Sequence, residues 1–120
     1  MGKTSGTFKV AAATTDGISV NVHFGKADTF AVYEIATDGT PVFVEERTVT
    51  HPCGGGYHDE NLLEESAACI SDCKYVLVSR VGPGAARVLA QAGCTPIELT
   101  GYIEDMIPRM IMYDRIQNLY

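Results

Sequence analysis

The stretch KYVLVSRVGPGAARVLAQAGCTPIEL, residues 74–99, predicts a strand, a helix and a second strand in direct succession. Its first part, KYVLVS, is a short apolar run, which is typical of a strand that is covered on both faces. Pro83 falls in the first turn of the helix and Gly93 lies just past its end, where these residues favour helix boundaries. A right-handed crossover then brings such strands side by side in one sheet.

The residues before this unit predict strands joined by turns. FKVAAAT (8–14) ends at a turn signal, and SVNVHF (19–24) alternates apolar and polar residues, with His23 on the polar side. TFAVYEI (29–35) and PVFVEERTV (41–49) flank the turn TDGT, which is a hairpin signal.

Two further helices complete the pattern. Asp59 and Glu60 favour a helix start, and the apolar spacing continues to about Ser71. From Tyr102 a closing helix is predicted, which Pro108 should kink or restart. The order βββαβαβα, with the short run at 19–24 added, predicts an α/β fold with a mixed five-stranded sheet flanked by helices. Ligands of such sheets bind beyond the carboxyl ends of the parallel strands.

Composition restricts the class of protein. The chain has 120 residues, 46% of them hydrophobic, which predicts a single domain at 8–120 behind a disordered stretch at 1–7. We find no apolar run that could span a bilayer and no signal-peptide pattern, so a cytoplasmic protein with four reduced cysteines is expected. The net charge of −6 disfavours nucleic-acid binding, which needs a basic face.

A glycine-rich loop, THPCGGGYHDE at 50–60, places a cysteine between two histidines. With His23, the loop offers His51, Cys53 and His58, and thiolate and imidazole are ligands that suit iron–sulfur clusters, zinc or copper. The spacing matches no zinc-finger pattern, which favours an open site that gives one or two exchangeable ligands to a preassembled cluster. The alternative is a flexible connector whose histidines are solvated.

Ser79–Gly84, SRVGPG, joins a strand directly to a helix. Such a junction aims backbone N–H groups and the positive helix end at one point, so with Arg80 it predicts an anion site; an ordinary tight turn is the alternative. The carboxylates in loops and caps form no acid–base pair and are predicted to be turn and capping residues: Asp16, Asp28, Asp59 and Glu60. Three cysteines are predicted to be core residues: Cys69, Cys73 and Cys94.

Three segments carry a resemblance to a known family: TTDGISVNVHFGKADTFAVYEI, HPCGGGYHDE and DCKYVLVSRVGPGAARVLAQAGCTPIEL. In this order they resemble the dinitrogenase iron–molybdenum cofactor biosynthesis family, which includes NifX-like proteins and the C-terminal domain of NifB proteins. The resemblance extends over residues 8–118. Its most specific parts are His23–Gly25, followed by Ala27, Asp28 and Phe30, and the junction Ser79–Gly84, whereas the glycine loop is a looser match.

The resemblance implies a ribonuclease-H-like fold without nuclease chemistry. It implies a non-enzymatic role in nitrogen fixation, in which the chain binds and carries or stores an iron–sulfur precursor of the iron–molybdenum cofactor and has no tightly bound cofactor of its own. His23 and Cys53 are the implied cluster ligands, with His58 as a further candidate. The implied pocket also includes Phe24, Gly25, Gly54, Gly55, Ser79, Arg80 and Gly82. Nitrogenase or cofactor-assembly proteins are the implied partners.

The chain departs from the family at Lys26, where many members have a second histidine; the histidines that flank Cys53 could compensate. It also lacks the Cys-x3-Cys-x2-Cys motif of full-length NifB proteins, so it is either a stand-alone carrier or an excised domain. A metal-free regulatory or protein-interaction domain of the same fold is the alternative function. A ribonuclease-H-type hydrolase is disfavoured because the carboxylates that would hold two metal ions are missing.

Overall fold

The computed structural model describes residues 7–49 and 60–117. Within them the strands, the helices and one 3₁₀ turn follow in the order β1 (Phe8–Ala13), β2 (Ser19–Val20), 3₁₀ (Phe24–Lys26), β3 (Thr29–Ile35), β4 (Pro41–Thr48), α1 (Glu60–Cys69), β5 (Tyr75–Val78), α2 (Pro83–Ala92), β6 (Thr95–Glu98), β7 (Gly101–Tyr102) and α3 (Ile103–Gln117). Across these residues no helix has the length and apolar character needed to cross a membrane. The prediction of disorder at 1–7 falls on residues of which only Thr7 is described, so it stays a prediction.

β1 lies at the centre of a five-stranded sheet, whose order is β4-β3-β1-β5-β6. It pairs antiparallel with β3 and parallel with β5, and β5 pairs parallel with β6. β3 and β4 form the predicted hairpin, whose turn has Gly39 at a φ of 91°. This arrangement confirms the predicted α/β fold with a mixed five-stranded sheet, in which the carboxyl ends of β1 and β5 are neighbours.

The sheet separates two apolar cores. Because side chains alternate along a strand, β1 sends Ala11 and Ala13 to the face that α1 and α2 cover, and Val10 and Ala12 to the face that α3 covers. The first core is completed mainly by Phe24, Phe30, Val32, Ala67, Ile70, Val76, Val88 and Leu89. The second is completed mainly by Val20, Ile35, Leu77, Ile103, Ile107 and Met110. The two cores give the loops at the sheet edge a rigid support.

The strand predicted over 19–24 is shorter in the structure. β2 ends at Val20 and pairs with β7 in a separate two-stranded sheet. The main chain beyond it bonds to the loop after β5, because the Ser79 N–H donates to the Val22 carbonyl and the Phe24 N–H donates to the Arg80 carbonyl. The full-length strand prediction was therefore wrong. The predicted alternation holds, since Val20 and Phe24 are fully buried and His23 is exposed.

α3 continues through Pro108, so of the two predicted outcomes, a kink or a restart at this residue, the restart is wrong and the kink stays a prediction. Met106 and Ile107 before the proline and Met110 after it are all buried against the sheet. Their packing on both sides offsets the loss of the backbone hydrogen bond that a proline cannot donate.

α1 carries the predicted apolar stripe into the first core. Ala67 and Ile70 are buried, although the helix ends at Cys69, two residues before the predicted Ser71. Cys73 and Cys94 are each 1% exposed, which confirms them as core residues, and Cys69 is half-buried at the edge of the same core. The three cysteines therefore serve packing in the described part of the chain.

Candidate functional site

His23 and Arg80 come together just beyond the carboxyl end of β5. They form a parallel backbone bridge, in which the Phe24 N–H donates to the Arg80 carbonyl at 3.0 Å. One residue earlier, the Ser79 N–H donates to the Val22 carbonyl at 3.1 Å. His23 and Arg80 are both exposed, so the bridge presents an imidazole and a guanidinium to the same surface without burying either.

A cavity of about 380 Å³ opens beside this bridge. Its lining comes from the 3₁₀ turn, α1, and the start of α2 with the loop before it: His23, Gly25, Lys26, Leu63, Arg80, Gly82, Gly84 and Ala85. The polar side chains among these are one imidazole and two cationic groups, and the described lining contains no carboxylate. Such a cavity favours an anionic ligand, although the net charge of the whole chain is negative.

The fold itself does not require the glycines that line the cavity. Gly25, Gly82 and Gly84 are not among the glycines with a positive φ. A Cβ atom at Gly82 would meet nothing within 4 Å, and one at Gly25 or Gly84 would make an ordinary 3.9 Å contact with Leu63. Neither backbone strain nor crowding among the described residues therefore accounts for Gly25 and Gly84, whereas Gly82 is the N-cap of α2, a position that accepts glycine.

The loop after β5 is also held from the side of β6. The Val81 N–H donates to the Glu98 carboxylate at 2.9 Å, and the Leu99 N–H donates to the Val78 carbonyl at 2.9 Å. α2 then begins at Pro83 with Gly82 as its N-cap and with no side chain capping it. Sequence analysis missed Glu98, although its place at the carboxyl end of a parallel strand is the signal that could have identified it.

Phe24 and Ser79 contribute to the described part of the site through their neighbours rather than as cavity walls. Phe24 is fully buried and packs against Phe30, with ring centroids 5.9 Å apart. Ser79 is half-buried, and its backbone N–H is bonded to the Val22 carbonyl. The two residues therefore fix the positions of His23 and Arg80.

Asp16, near the carboxyl end of β1, serves a turn, as predicted. Its carboxylate accepts the N–H groups of Ile18 and Ser19 at 2.9 Å each, and these bonds lower the pKa of its carboxyl group. The buried Thr14 hydroxyl donates to Asp16 and accepts the N–H of Gly17. Asp16 thus stabilises this turn as a hydrogen-bond acceptor.

The predicted ligand set falls only partly on residues that the structure describes. His51, Cys53, Gly54, Gly55 and His58 lie outside them. Among residues 7–49 and 60–117, no three His, Cys, Asp or Glu side chains lie close enough to hold one metal ion. Of the predicted ligands, the described residues therefore include His23 alone, at the cavity.

Sequence comparisons identify the family to which the chain belongs. Residues 7–113 match the family model described as dinitrogenase iron-molybdenum cofactor. The chain is 38% identical over 89 residues to the FeMo cofactor biosynthesis protein NifB of Herbaspirillum seropedicae, which covers 74% of this chain and 17% of that protein. It is 33% identical over 95 residues to protein NifX of Sinorhizobium fredii, which covers 72% of this chain and 56% of NifX.

Both relatives are longer than this chain, which matches 17% of the length of NifB and 56% of the length of NifX. A solved structure also shares the fold: the crystal structure of PH0822 superimposes with a TM-score of 0.65 at 24% identity, covering 86% of this chain and 89% of that one. The family model covers residues 7–113, and the two relatives are more than 30% identical to the chain. This chain therefore belongs to the dinitrogenase iron–molybdenum cofactor family.

Proposed function

We propose that this chain binds an iron–sulfur precursor of the iron–molybdenum cofactor and carries or stores it as cargo, without catalysis, during nitrogenase cofactor assembly. The observation that carries the proposal is the cavity beside the His23–Arg80 bridge, whose described lining combines an imidazole, two cations and three glycines. Membership of the family and similarity to NifB and NifX support the same role. The proposal includes a ribonuclease-H-like architecture and a place in the cytoplasm.

The cavity meets the chemical needs of an anionic metal–sulfur cluster. His23 offers a nitrogen ligand on an exposed side chain, which can bind and release a cluster without unfolding the site. Arg80 and Lys26 supply positive charge that offsets the charge of the cluster. Because glycine has no side chain, the glycines of the lining allow a cluster to approach the backbone closely, and hydrogen bonds from the backbone to cluster sulfur atoms tune iron–sulfur sites in general.

The proposed site extends beyond the described residues. We propose His23 and Cys53 as cluster ligands, with His58 as a further candidate and with Gly54 and Gly55 as positions where backbone approaches the cargo. The proposed pocket is lined by Gly25, Arg80 and Gly82. It also depends on Phe24 and Ser79, which hold the neighbouring residues in position. Proposed partners are nitrogenase or cofactor-assembly proteins.

Anaerobic titration of the reduced chain with a synthetic thiolate-capped cubane iron–sulfur cluster tests this function. The readouts are visible absorption and bound iron per chain. We expect saturable uptake that weakens about ten-fold or more in His23→Ala and in Cys53→Ala. Met112→Ala, which changes an exposed side chain on α3, is the control and should bind as the wild type does. Unchanged binding in both ligand variants would contradict the site, and no uptake by folded, reduced wild type would contradict the carrier role.

The exposed edge of the sheet favours one alternative function, a metal-free protein-interaction domain. β4 is an edge strand of the described sheet, and its Val42, Phe43 and Val44 are 55%, 56% and 39% exposed. Apolar side chains on an edge strand are a known basis for protein association. A stable partner that copurifies without iron under anaerobic conditions, and that is lost in Phe43→Ser, would support this alternative.

A further inference from the structure

Glu98 differs from the other groups that fix the loop between β5 and α2. Within the described residues, this loop is tied by the backbone bonds from Ser79 to Val22 and from Phe24 to Arg80. Among the hydrogen bonds between described residues that hold this loop, the bond from the Val81 N–H to the Glu98 Oε2 atom, at 2.9 Å, is the one in which a side chain takes part. Glu98 is therefore the position where substitution can alter the hold on the loop without changing the backbone pairing.

Glu98 also adds a negative charge beside the loop that carries Arg80. Its carboxylate is exposed and bonds to the residue that follows Arg80, whereas the polar lining of the cavity is cationic or imidazole. A negative charge beside this loop opposes the binding of an anion near Arg80, and the opposition falls as salt screens it.

We infer that Glu98 is a positioning residue that sets the affinity of the cargo site. Its hydrogen bond holds the loop in the conformation that presents Arg80 to the cavity, and preorganisation of this kind strengthens binding. Its charge acts in the opposite direction and weakens the hold on an anionic cargo, which favours release to an acceptor. The inference rests on the proposed function, and two substitutions separate its two parts.

Glu98→Gln and Glu98→Ala remove different properties of the side chain. Glutamine keeps an oxygen that can accept the Val81 N–H but loses the charge, whereas alanine loses both. Glu104→Gln removes the same charge from an exposed residue of α3, on the opposite face of the sheet, and is the matched control.

The first measurement follows hydrogen exchange of the Val81 amide without any ligand. We expect slow exchange in the wild type and in Glu98→Gln, and exchange that is about ten-fold faster or more in Glu98→Ala, with core amides such as that of Leu77 unchanged in all three. Equal protection of the Val81 amide in Glu98→Ala and wild type would overturn the positioning role. Because no cargo is present, this result does not depend on the proposed function.

The second measurement repeats the anaerobic cluster titration at low and high salt. At low salt, Glu98→Gln should bind the synthetic cluster about two- to five-fold more tightly than the wild type, and the gain should shrink as salt is added. Glu98→Ala should bind more weakly than Glu98→Gln, and Glu104→Gln should match the wild type. Equal affinities of Glu98→Gln and wild type would overturn the charge role alone, whereas no uptake by the wild type would overturn the proposed function and the charge role together.

Discussion

The backbone bridge between His23 and Arg80 joins two parts of the chain that are far apart in sequence. His23 follows β1 and β2 and precedes the β3–β4 hairpin, whereas Arg80 lies inside the strand–helix–strand unit that ends the sheet. Neither part presents the cavity alone, since each supplies one wall of it. The site is therefore a product of the assembled fold, and substitutions that loosen either anchor should affect stability and binding together.

Phe24 is the anchor on the first side, and its replacement by alanine should destabilise the protein. The ring is fully buried against Phe30, so Phe24→Ala should lower the free energy of unfolding by about 3–5 kcal/mol, as measured by chemical denaturation. Phe24→Leu keeps most of the buried volume and should lose clearly less. If Phe24→Ala lowered the free energy of unfolding no more than Phe24→Leu does, the core would have to collapse around the missing ring, and the prediction would be wrong.

Gly84→Ala should separate stability from binding. Gly84 lies in α2, where alanine favours the helix by about 0.5–1 kcal/mol, and its Cβ would only touch Leu63 at 3.9 Å. We therefore expect a more stable protein that nevertheless binds the synthetic cluster more weakly, because the methyl group enters the cavity. Gly93→Ala is the contrasting variant, since Gly93 has a φ of 84° and alanine there should destabilise the protein by about 1 kcal/mol. Unimpaired cluster binding by Gly84→Ala would show that cargo does not approach this backbone.

Asp72 should make part of the stability depend on pH. Its carboxylate accepts two hydrogen bonds from Arg47, at 2.6 and 3.0 Å, and these hold the pKa of Asp72 well below its ordinary value of 3.8. Because the pKa of Asp72 is lower in the folded state than in the unfolded chain, the carboxylate contributes its full stabilisation at pH values above the ordinary pKa. This contribution is lost as the pH falls below that pKa. Asp72 is 46% exposed, so Asp72→Asn should cost only about 0.5–1 kcal/mol near neutral pH.

The difference in the free energy of unfolding between Asp72→Asn and the wild type should be constant from neutral pH down to the ordinary aspartate pKa of 3.8. It should then shrink as the solution becomes more acidic. Urea denaturation across this range measures it. A difference that grows as the solution becomes more acidic would contradict the sign of the linkage. Glu64→Gln, on an exposed residue of α1, controls for the change in net charge.

The buried cysteines should resist alkylation in the native state. Burial raises the pKa of Cys73 and of Cys94 to about 12, and a thiol reacts only as its thiolate. With iodoacetamide at about pH 8, mass spectrometry should find both residues unmodified in folded protein and modified after unfolding. Native modification of Cys94 at the rate of the unfolded chain would show that the first core opens readily.

The sequence predicts the sheet and the helices well because their signals are local. The apolar run of β5, the turn residues of the β3–β4 hairpin and the Gly93 helix end each determine structure within a few residues. The early end of β2 and the absence of a helix restart at Pro108 were not predictable because both depend on distant contacts. Val22 bonds to Ser79, and Pro108 is held in a helix by burial of Met110.

The candidate site was predictable only in part for the same reason. His23 and the Ser79–Gly84 junction carry motifs that can be recognised one at a time, and the parallel arrangement of β1 and β5 places them at one sheet edge. Leu63 carries no motif, and Glu98 is marked only by its place at the carboxyl end of a parallel strand, because the contacts of both residues arise from proximity in the folded chain. The predictions for Cys53 and His58 concern residues outside those described and stay predictions.

The Leu63 side chain fills the part of the cavity between two of its glycines. One methyl group of this side chain faces Gly25 and the other faces Gly84, each 3.9 Å from the position that a Cβ atom would take. A single aliphatic side chain thus fills the space between the two glycine positions. A larger or smaller side chain at this one position would change the shape of the cavity next to both glycines without altering any polar side chain of its described lining.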